Sequence, residues 1–432
     1  MTNLNTIKTE KHTHNYPIKN PGYDAIVDAL LAAAKQESAA LAVWSLPPHQ
    51  EINFIIDLVP VFRTLDFNQI IKEKYQGFAL NPFCSTDTNR LSLFLRPHGV
   101  LEEAHGNYSI FWDDEDEPAK KNKIEAFTTA FEHNLKHKIN LRHSITPRLG
   151  DFATQNFRKA LFVDLVKDGI TQIKKGRFTK FVAARSTDVP LPASLSWSAL
   201  FDKLQSLYPQ TLLSLVSTPE FGTWLGASPE ILLSVDQQNI ATTVALAGTR
   251  KQKHDDHNDV AWGNKERQEQ ALVTNFIHDV LKDAGVQKYQ KDDLTTHSMG
   301  YLRHLKEVFR FDLNHPVNKA TNIEKLVYGL HPTPAVCGMP GESAFSFIWR
   351  NEMLDRSLYT GFLGPVNFTD PLNLYVNIRC MQLLTGATKN DDRKNNALIY
   401  AGAGITADSD PLGEWEETEM KCGVMVDALE SI

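Results

Sequence analysis

Residues 212–246 read LLSLVSTPEFGTWLGASPEILLSVDQQNIATTVAL, and this stretch decides the class of the fold. It holds short apolar runs at Leu212–Val216, Phe221–Leu225, Ile231–Val235 and Ala241–Leu246. Runs of this length that are rich in Val, Ile, Thr and Trp, and are separated by Gly, Pro and Asn, are typical of strands joined by tight connections. The stretch therefore predicts consecutive strands that begin with a hairpin.

Further strands and helices are predicted on both sides of this stretch. Short apolar runs predict strands at Ala40–Leu46, Gly77–Leu80, Leu91–Leu95, Ser109–Trp112 and Phe178–Arg185. Helical patterns occur at Tyr23–Lys35, Phe152–Asp168, Lys265–Asp283 and Glu414–Leu429. The charge run Asp113–Lys123 is interpreted as a solvated loop. Because no repeat or linker divides the chain, we expect a disordered polar arm over residues 1–20 and one α+β domain over residues 21–432.

The composition excludes several classes of protein. The chain of 432 residues carries 45 basic and 52 acidic side chains, a net charge of −7, which does not suit a nucleic-acid-binding protein. None of the 4 cysteines forms a CxxC pair, so neither a zinc knuckle nor a redox motif is indicated. There is no apolar leader and no apolar run long enough to span a membrane. We therefore expect a cytoplasmic protein.

Two helices carry glutamates in line with their apolar faces. In Lys265–Asp283 the residues Val273, Phe276, Ile277, Val280 and Leu281 form the apolar stripe. Extended toward the amino end, this stripe reaches Glu269 and Glu266. In the last helix, the face defined by Val424, Met425 and Ala428 extends back to Lys421, Glu417 and Glu414.

Such glutamates indicate a metal site or a helix end. Buried carboxylates are costly unless they are paired or bind a metal, and a cluster of hard oxygen ligands suits Mg²⁺. The same four residues also fit solvent-facing positions in a first helical turn, where the helix dipole favours negative charge. The pattern alone leaves both interpretations open.

A lysine and a glutamate are candidates for acid–base chemistry. Lys180 alternates with Val182 and Ala184 on one face of a predicted strand. If that face is internal, burial lowers the pKa of the lysine and makes it a general base, whereas an edge lysine would extend to solvent. Glu230 follows Ser228-Pro229 at a strand entrance and fits either a proton donor or an ordinary turn residue.

Two loops rich in glycine or proline are candidate binding elements. The run Ala401-Gly402-Ala403-Gly404 leaves backbone amides accessible to an anion, but it lacks the context of a dinucleotide fingerprint. The loop His331-Pro332-Thr333-Pro334 is rigid, and its histidine is positioned either to line a pocket or to cap the loop.

Taken together, these segments resemble the chorismate-utilising enzymes, which include isochorismate, salicylate, anthranilate and aminodeoxychorismate synthases. The resemblance runs from about residue 155 to the carboxyl end. The ordered motifs that carry it are GRFTKFVAAR, FGTWLGASPEILL, LAGTR, KERQEQ, LHPTPAVCGMP, DRSLYTGFLG, YVNIRC, AGAGITADSDP and GEWEETEMK.

The resemblance implies a fold of two stacked antiparallel sheets wrapped by helices, an α/β/β/α sandwich with the active site between the sheets. Residues 21–150 would form the variable part and residues 151–432 would carry the catalytic motifs. It also implies that the substrate is chorismate and that Mg²⁺ is the cofactor.

The resemblance further implies roles for individual residues. Lys180 would activate water for attack at C2, and Glu230 would protonate the departing C4 hydroxyl. Glu269 and Glu417 would bind Mg²⁺ directly, while Glu266 and Glu414 would hold its waters. The residues expected to contact substrate are Arg379, Tyr359, Lys421, Thr249, Gly248, Ala247, Leu246, His331, Gly402, Ala403 and Gly404.

Within the family, the motifs favour isochorismate synthase, an isomerase. Lys180 indicates water as the nucleophile, and Ala245–Thr249 lacks the nucleophilic lysine typical of aminodeoxychorismate synthases. The loop ending Gly338-Met339-Pro340-Gly341 lacks the lysine usual in salicylate synthases. Salicylate synthase and a non-catalytic chorismate-binding protein are the alternatives. No glutamine amidotransferase subunit is expected, and we expect a monomer or weak dimer.

Overall fold

The computed structural model describes residues 12–18, 23–48, 51–83, 91–104, 107–113, 118–137, 155–191, 195, 197–251, 262–299, 302–384 and 396–430. Its strands are β1 (His12–Ile18), β2 (Ala40–Ser45), β3 (Asn53–Asp57), β4 (Phe62–Thr64), β5 (Gly77–Asn81), β6 (Leu91–Leu95), β7 (Gly99–Ala104), β8 (Asn107–Asp113), β9 (Lys180–Pro190), β10 (Leu212–Thr218), β11 (Gly222–Ser228), β12 (Ile231–Val235), β13 (Ile240–Lys251), β14 (Gln290–Lys291), β15 (Thr295–Met299), β16 (Leu302–Asp312), β17 (Gly338–Met339), β18 (Phe362–Val366), β19 (Leu372–Val376), β20 (Cys380–Leu384) and β21 (Asn396–Ile405). Its helices are α1 (Tyr23–Gln36), α2 (Phe67–Lys72), α3 (Pro118–His137), α4 (Gln155–Lys174), α5 (Trp197–Leu207), α6 (Asn264–Asp283), α7 (Ile323–Leu330), α8 (Gly341–Asn351) and α9 (Pro411–Glu430).

The strands form two antiparallel sheets. Within the described residues, the first sheet has 11 strands in the order β1-β8-β7-β3-β2-β10-β11-β20-β21-β9-β17. The second sheet has the order β14-β16-β13-β12-β19-β18-β5-β6-β4, with β15 also paired to β16. Strands that are far apart in the chain, such as β2 and β10, are therefore direct neighbours.

The apolar side chains separate into layers that explain why the sheets stack. Leu41 and Val43 of β2 belong to a core shared with α1, α3, α5 and α9, whereas Ala42 and Trp44 belong to a core between the two sheets. A further core joins the second sheet to α2, α6 and α7. Central strands are thus buried on both faces and have nearly continuous apolar sequences. This layering confirms the predicted α/β/β/α sandwich.

The stretch Leu212–Leu246 forms the predicted strands, but they divide between the two sheets. β10 and β11 pair as the expected antiparallel hairpin in the first sheet. β12 and β13 pair with each other in the second sheet. The chain crosses from one sheet to the other at Pro229-Glu230, which is why the predicted run of strands does not form one continuous meander.

Two predicted segments differ from the structure. The arm predicted over residues 1–20 includes β1, an edge strand that pairs with β8 through its backbone rather than through an apolar sequence pattern. The charge run predicted as a loop contains the start of α3, because Pro118 suits a first helical turn. Residues 1–11, 19–20, 114–117 and 152–154 lie outside the described part of the chain. None of the described helices is long and apolar enough to cross a membrane.

Candidate functional site

The site begins where the chain crosses twice between the sheets. β11 of the first sheet leads through Glu230 to β12 of the second, and β19 of the second leads through Arg379 to β20 of the first. The two crossings are hydrogen-bonded to each other: Val376 N donates to the Glu230 carbonyl at 2.9 Å, and Ala227 N donates to the Arg379 carbonyl at 3.0 Å. Glu230 and Arg379 are therefore held at the same place between the sheets.

A cavity opens at these crossings. Its wall combines β9 and β21 of the first sheet, β13 and β16 of the second, and the amino-terminal turns of α6 and α9. Many of the predicted site residues line this cavity: Lys180, Glu230, Leu246, Ala247, Gly248, Thr249, Glu269, Tyr359, Arg379, Gly402, Gly404, Glu417 and Lys421.

Lys180 is the first residue of β9 and faces the cavity together with Val182, as the alternation predicts. Its side chain is 2% exposed, and its Nζ lies 3.9 Å from Oε2 of Glu269. Burial lowers the pKa of Lys180, although the negative charges of Glu269 and Glu417 oppose this shift. An amine in this environment loses its proton more readily than an exposed lysine and is suited to act as a base.

The pKa of Glu230 is shifted in the opposite direction to that of Lys180. Its side chain is buried, and burial raises its pKa to about 7, against the opposing effects of Thr333 and Lys180. Thr333 Oγ1 donates a hydrogen bond of 3.3 Å to Oε1 of Glu230. A carboxyl group with a pKa near neutrality carries a proton that it can donate.

The four predicted metal-site glutamates lie on the first two turns of α6 and α9, and we call Glu266, Glu269, Glu414 and Glu417 the carboxylate cluster. Glu269 and Glu417 line the cavity, whereas Glu414 is buried behind them. In α6 the buried stripe ends with Gln270 rather than with a glutamate. The side chain of Val424 in α9 lies outside the described residues, while Met425 and Ala428 are buried as predicted.

Lysine ammonium groups lie beside the carboxylates of this cluster. Lys265 Nζ is 2.7 Å from Oε1 of Glu414 and 4.0 Å from Oε1 of Glu269. Lys421 Nζ is 2.8 Å from Oε1 of Glu417. Burial opposes the charged form of Glu417, but Lys421 and Lys265 outweigh it and lower the pKa of this carboxyl group. Burial raises the pKa of Glu414, with Lys265 opposing.

The donor chemistry of the cluster fits a hard divalent cation. Four carboxylates on the first two turns of α6 and α9 match the oxygen ligands that Mg²⁺ prefers. Oε2 of Glu414 is buried and has no hydrogen-bond partner within the described residues, so it can accept a further ligand. In the same described segments, no three His, Cys, Asp or Glu side chains are already grouped around one point as metal ligands. A metal would therefore require the lysine contacts to rearrange.

Arg379 marks the cationic end of the cavity. Its backbone adopts the left-handed conformation, with φ of 52°, and its side chain is buried. Its Nη2 lies 3.2 Å from Nε2 of His304, while Nδ1 of His304 lies 3.2 Å from the carbonyl of Gly248. Burial, reinforced by the charge of Arg379, lowers the pKa of His304 well below its ordinary value. A neutral His304 accepts from Arg379 and thereby orients its guanidinium group.

The glycines of β21 supply space. A Cβ atom on Gly404 would lie 2.9 Å from Cε of Lys180, and one on Gly402 would lie 3.0 Å from the hydroxyl oxygen of Tyr359. The carbonyl of Gly402 accepts a hydrogen bond of 2.8 Å from Lys421. These small residues let long polar side chains reach the cavity.

Gly248 interrupts the pairing of β13 with β16. It has a positive φ of 64°, and the register shifts between Ala247 and Thr249. Gln270 of α6 accepts a hydrogen bond of 3.0 Å from Ala247 N. The bulge and this contact turn residues 246–249 toward the cavity and fix their position against α6.

Glu266 and Glu414 do not line the cavity, and two of the predicted substrate contacts do not reach its wall either. Ala403 points into the core behind β21, as alternation along a strand requires. His331 is buried beneath the wall, where its Nε2 is 2.9 Å from the Thr360 carbonyl and its ring packs on Phe362. Burial lowers the pKa of His331 to about 4, so it acts as a neutral structural group at neutral pH.

Three residues that contact or line the site were not predicted from the sequence: His304, Thr333 and Thr360. The alternation of β16 places His304 on the face shared with Leu302 and Lys306, but an isolated histidine on a strand gives no functional signal. Thr333 lies within the predicted proline loop, and its contact with Glu230 joins segments far apart in the chain.

Comparison with known proteins gives consistent results. The profile of the family described as chorismate binding enzyme matches residues 104–430. The chain is 32% identical over 253 residues to isochorismate synthase EntC of Escherichia coli K12, covering 57% of this chain and 61% of that protein. It is 30% identical over 290 residues to the salicylate biosynthesis isochorismate synthase of Pseudomonas aeruginosa, covering 66% of this chain and 57% of that protein. The matched regions thus span about three fifths of these relatives.

Solved structures share the fold. The menaquinone-specific isochorismate synthase MenF of Escherichia coli matches with a TM-score of 0.68 at 22% identity, over 99% of this chain and 98% of that chain. Anthranilate synthase component I of Streptococcus pneumoniae matches with a TM-score of 0.57 at 16% identity, over 96% of this chain and 92% of that chain. At these identities the similarity shows the architecture.

Proposed function

Since the chain belongs to the chorismate binding enzymes, we propose that it is an isochorismate synthase. It would isomerise chorismate by adding water at C2 and expelling the C4 hydroxyl. The curated relatives of Escherichia coli and Pseudomonas aeruginosa carry this activity in their names. The distribution of acid, base and cationic groups in the cavity supports the same reaction.

One observation carries the proposal: Lys180 and Glu230 are both buried at the wall of one cavity, and their pKa values are shifted in opposite directions. Burial favours the neutral form of each group, which makes the amine a base and the carboxyl group an acid. A reaction that removes one proton and supplies another needs such a pair.

In the proposed reaction, Lys180 accepts a proton from a water molecule as the water oxygen bonds to C2. The ring double bond shifts, the bond between C4 and its oxygen breaks, and Glu230 gives its proton to the departing hydroxyl. One water enters and one leaves, so the reaction is an isomerisation. Lys180 ends protonated and Glu230 ionised, and a return of the proton restores both groups.

Arg379 and Tyr359 would bind the enolpyruvyl carboxylate. Both line the cavity, and a guanidinium group offers the forked donors that a carboxylate accepts. His304 holds the guanidinium in place from one side. Residues 246–249 would lie against the ring, and the backbone amides of Gly402 and Gly404 would assist as further donors.

The carboxylate cluster would hold Mg²⁺, with Glu269 and Glu417 as direct ligands and Glu266 and Glu414 binding through water. When bound, Mg²⁺ would neutralise the ring carboxylate of chorismate and orient it. The fit of the donor set and the unpartnered Oε2 of Glu414 support this assignment. We further propose that the enzyme works in the cytoplasm and needs no amidotransferase subunit, since water requires no ammonia supply.

Product analysis tests the proposal directly. The protein is incubated with chorismate and Mg²⁺, and the products are separated by HPLC and compared with standards. Isochorismate alone is expected, and Lys180→Ala should produce none while still binding chorismate. Salicylate together with pyruvate would identify a salicylate synthase instead. Chorismate that binds but is recovered unchanged would identify a non-catalytic binding protein.

A further inference from the structure

Among the described residues, the carboxylate cluster has three lysine neighbours, and one of them differs from the others. Lys180 is 2% exposed and fixed in β9, and Lys421 also donates to the Gly402 carbonyl. Lys265 is 40% exposed, while its partner Glu414 is 4% exposed. The ammonium group of Lys265 therefore has access to solvent, whereas the carboxylate it contacts does not.

The contacts of Lys265 join the two helices. It lies in the first turn of α6, yet its shortest contact, at 2.7 Å, is with Glu414 in the first turn of α9. Glu269 lies 4.0 Å from the same nitrogen atom. One positive charge thus compensates carboxylates from both helices, where unpaired buried anions would repel each other.

A divalent cation in the proposed site would use the same carboxylates, Glu269 as a direct ligand and Glu414 through a bound water. Oε1 of Glu414 accepts from Lys265, while Oε2 has no hydrogen-bond partner in the described part of the chain. An ammonium group and a metal ion at this position would be close enough to repel each other strongly. The carboxylates can converge on a metal only if Lys265 moves away.

From this geometry we propose that Lys265 is an exchangeable counter-cation of the carboxylate cluster. Its ammonium group holds the first turns of α6 and α9 together in the metal-free protein, and a divalent cation enters by displacing it toward solvent. The measured free energy of metal binding is then the free energy of binding to the carboxylates less the free energy of their contact with Lys265. This inference rests on the proposed metal site.

Two substitutions of Lys265 should change metal affinity in opposite directions. Lys265→Met removes the competing charge at similar length, so binding should become roughly tenfold tighter. Lys265→Arg keeps the charge and offers two parallel hydrogen bonds to a carboxylate, so binding should become weaker than in the wild type. Lys282→Met removes the same charge from an exposed position in the last turn of α6 and serves as the control.

The measurement is Mn²⁺ binding to the full chain without substrate, followed by titration calorimetry and by the electron paramagnetic resonance signal of free Mn²⁺. Metal-free Lys265→Met should also melt at a lower temperature than wild type and gain more from added Mn²⁺. If this variant fails to fold without metal, Lys265→Gln, which keeps a hydrogen-bond donor, replaces it in the same comparison.

The outcomes separate this inference from the proposed function. Equal affinities of wild type, Lys265→Met and Lys265→Arg would overturn the exchange and leave the metal site standing. Weaker binding by Lys265→Met would also overturn it, since the lysine would then support the metal. No Mn²⁺ binding by the wild type would overturn both the exchange and the metal site, while isochorismate formation would remain to be judged by its products.

Discussion

Burial shifts the pKa values of Lys180 and Glu230 in opposite directions because their charged forms differ in sign. Removal of water disfavours the ammonium form of Lys180 and the carboxylate form of Glu230, so the pKa of the first falls and that of the second rises. No special electronic feature is required. The proposed base and the proposed acid are ordinary side chains placed between two sheets.

The two residues differ in how far the sequence predicts them. The inward orientation of Lys180 follows from alternation along its own strand, which is a local property. The environment of Glu230 depends on Thr333, which is 103 residues away in the chain, and on the crossing between sheets at Arg379. Such contacts leave no periodic pattern, so the segment around Glu230 also fitted an ordinary turn.

The pKa of Glu230 predicts a descending limb in the pH profile of kcat/KM. Because its pKa is raised to about 7, the proton that Glu230 would donate in the proposed reaction is lost as the pH rises through that region. We therefore expect kcat/KM to fall above about pH 7 in the wild type. Glu230→Gln should lower kcat by about two to four orders of magnitude and should abolish this limb. A descending limb that persists unchanged in Glu230→Gln would assign it to another group.

At the scale of elements, a buried ion pair connects the strand of the proposed base, Lys180, to the loop whose Thr333 contacts the proposed acid, Glu230. Arg356 and Glu352 are each 3% exposed and are joined at 2.6 Å. Arg356 donates to the Val182 carbonyl at 2.7 Å and to the Val336 carbonyl at 2.9 Å. Glu352 accepts from Ala184 N at 2.9 Å. The pair therefore fixes β9 relative to the loop that carries Thr333.

Arg356→Lys should disturb catalysis through position alone. Lysine keeps the charge but cannot reach both carbonyl groups and the carboxylate together. We expect kcat to fall about tenfold with little change in KM, since a small displacement of reacting groups is costly. Because the Thr333 hydrogen bond lowers the pKa of Glu230, weakening it should move the descending limb to higher pH. Arg350→Lys, at an exposed position of α8, is the control; an unchanged pH limb in Arg356→Lys would indicate a purely structural role.

The helices themselves were predictable where periodicity was strong. Both α6 and α9 occur within a few residues of their predicted bounds, because their apolar stripes are long. The extrapolated stripe was less accurate at its end: Gln270 is buried in α6, while Glu269 lies at the edge with 13% of its side chain exposed. The last turn of a stripe is set by neighbouring elements that the helix sequence does not specify.

At the scale of the whole molecule, the sequence predicts the layers better than their order. Apolar runs indicate the strands and one α+β domain. The stacking of two sheets between helices was expected only from the resemblance to the chorismate-utilising enzymes. The order of strands depends on pairings such as β2 with β10 and β18 with β5, which are distant in the chain. Strand β1 was missed because it is held by backbone pairing at the edge of the sheet.

Acid should destabilise the whole fold through His331. Its pKa is lowered to about 4 in the folded state from an ordinary value of 6.5, so the unfolded chain binds more protons between these values. Stability is therefore lost as the pH falls through this window, by about 2 kcal/mol at pH 5. Urea unfolding of wild type and His331→Gln at pH 7 and pH 5 checks this. A pH dependence equally steep in His331→Gln would assign the acid sensitivity to other groups.

The central claim is that water, activated by Lys180, replaces the hydroxyl of chorismate. The most direct test is turnover of chorismate with Mg²⁺ in water enriched in ¹⁸O, with mass spectrometry and NMR of the product. We expect isochorismate that carries one ¹⁸O atom in the hydroxyl at C2, and no such product from Lys180→Ala. Isochorismate formed without ¹⁸O, or labelled product formed at a normal rate by Lys180→Ala, would contradict the claim.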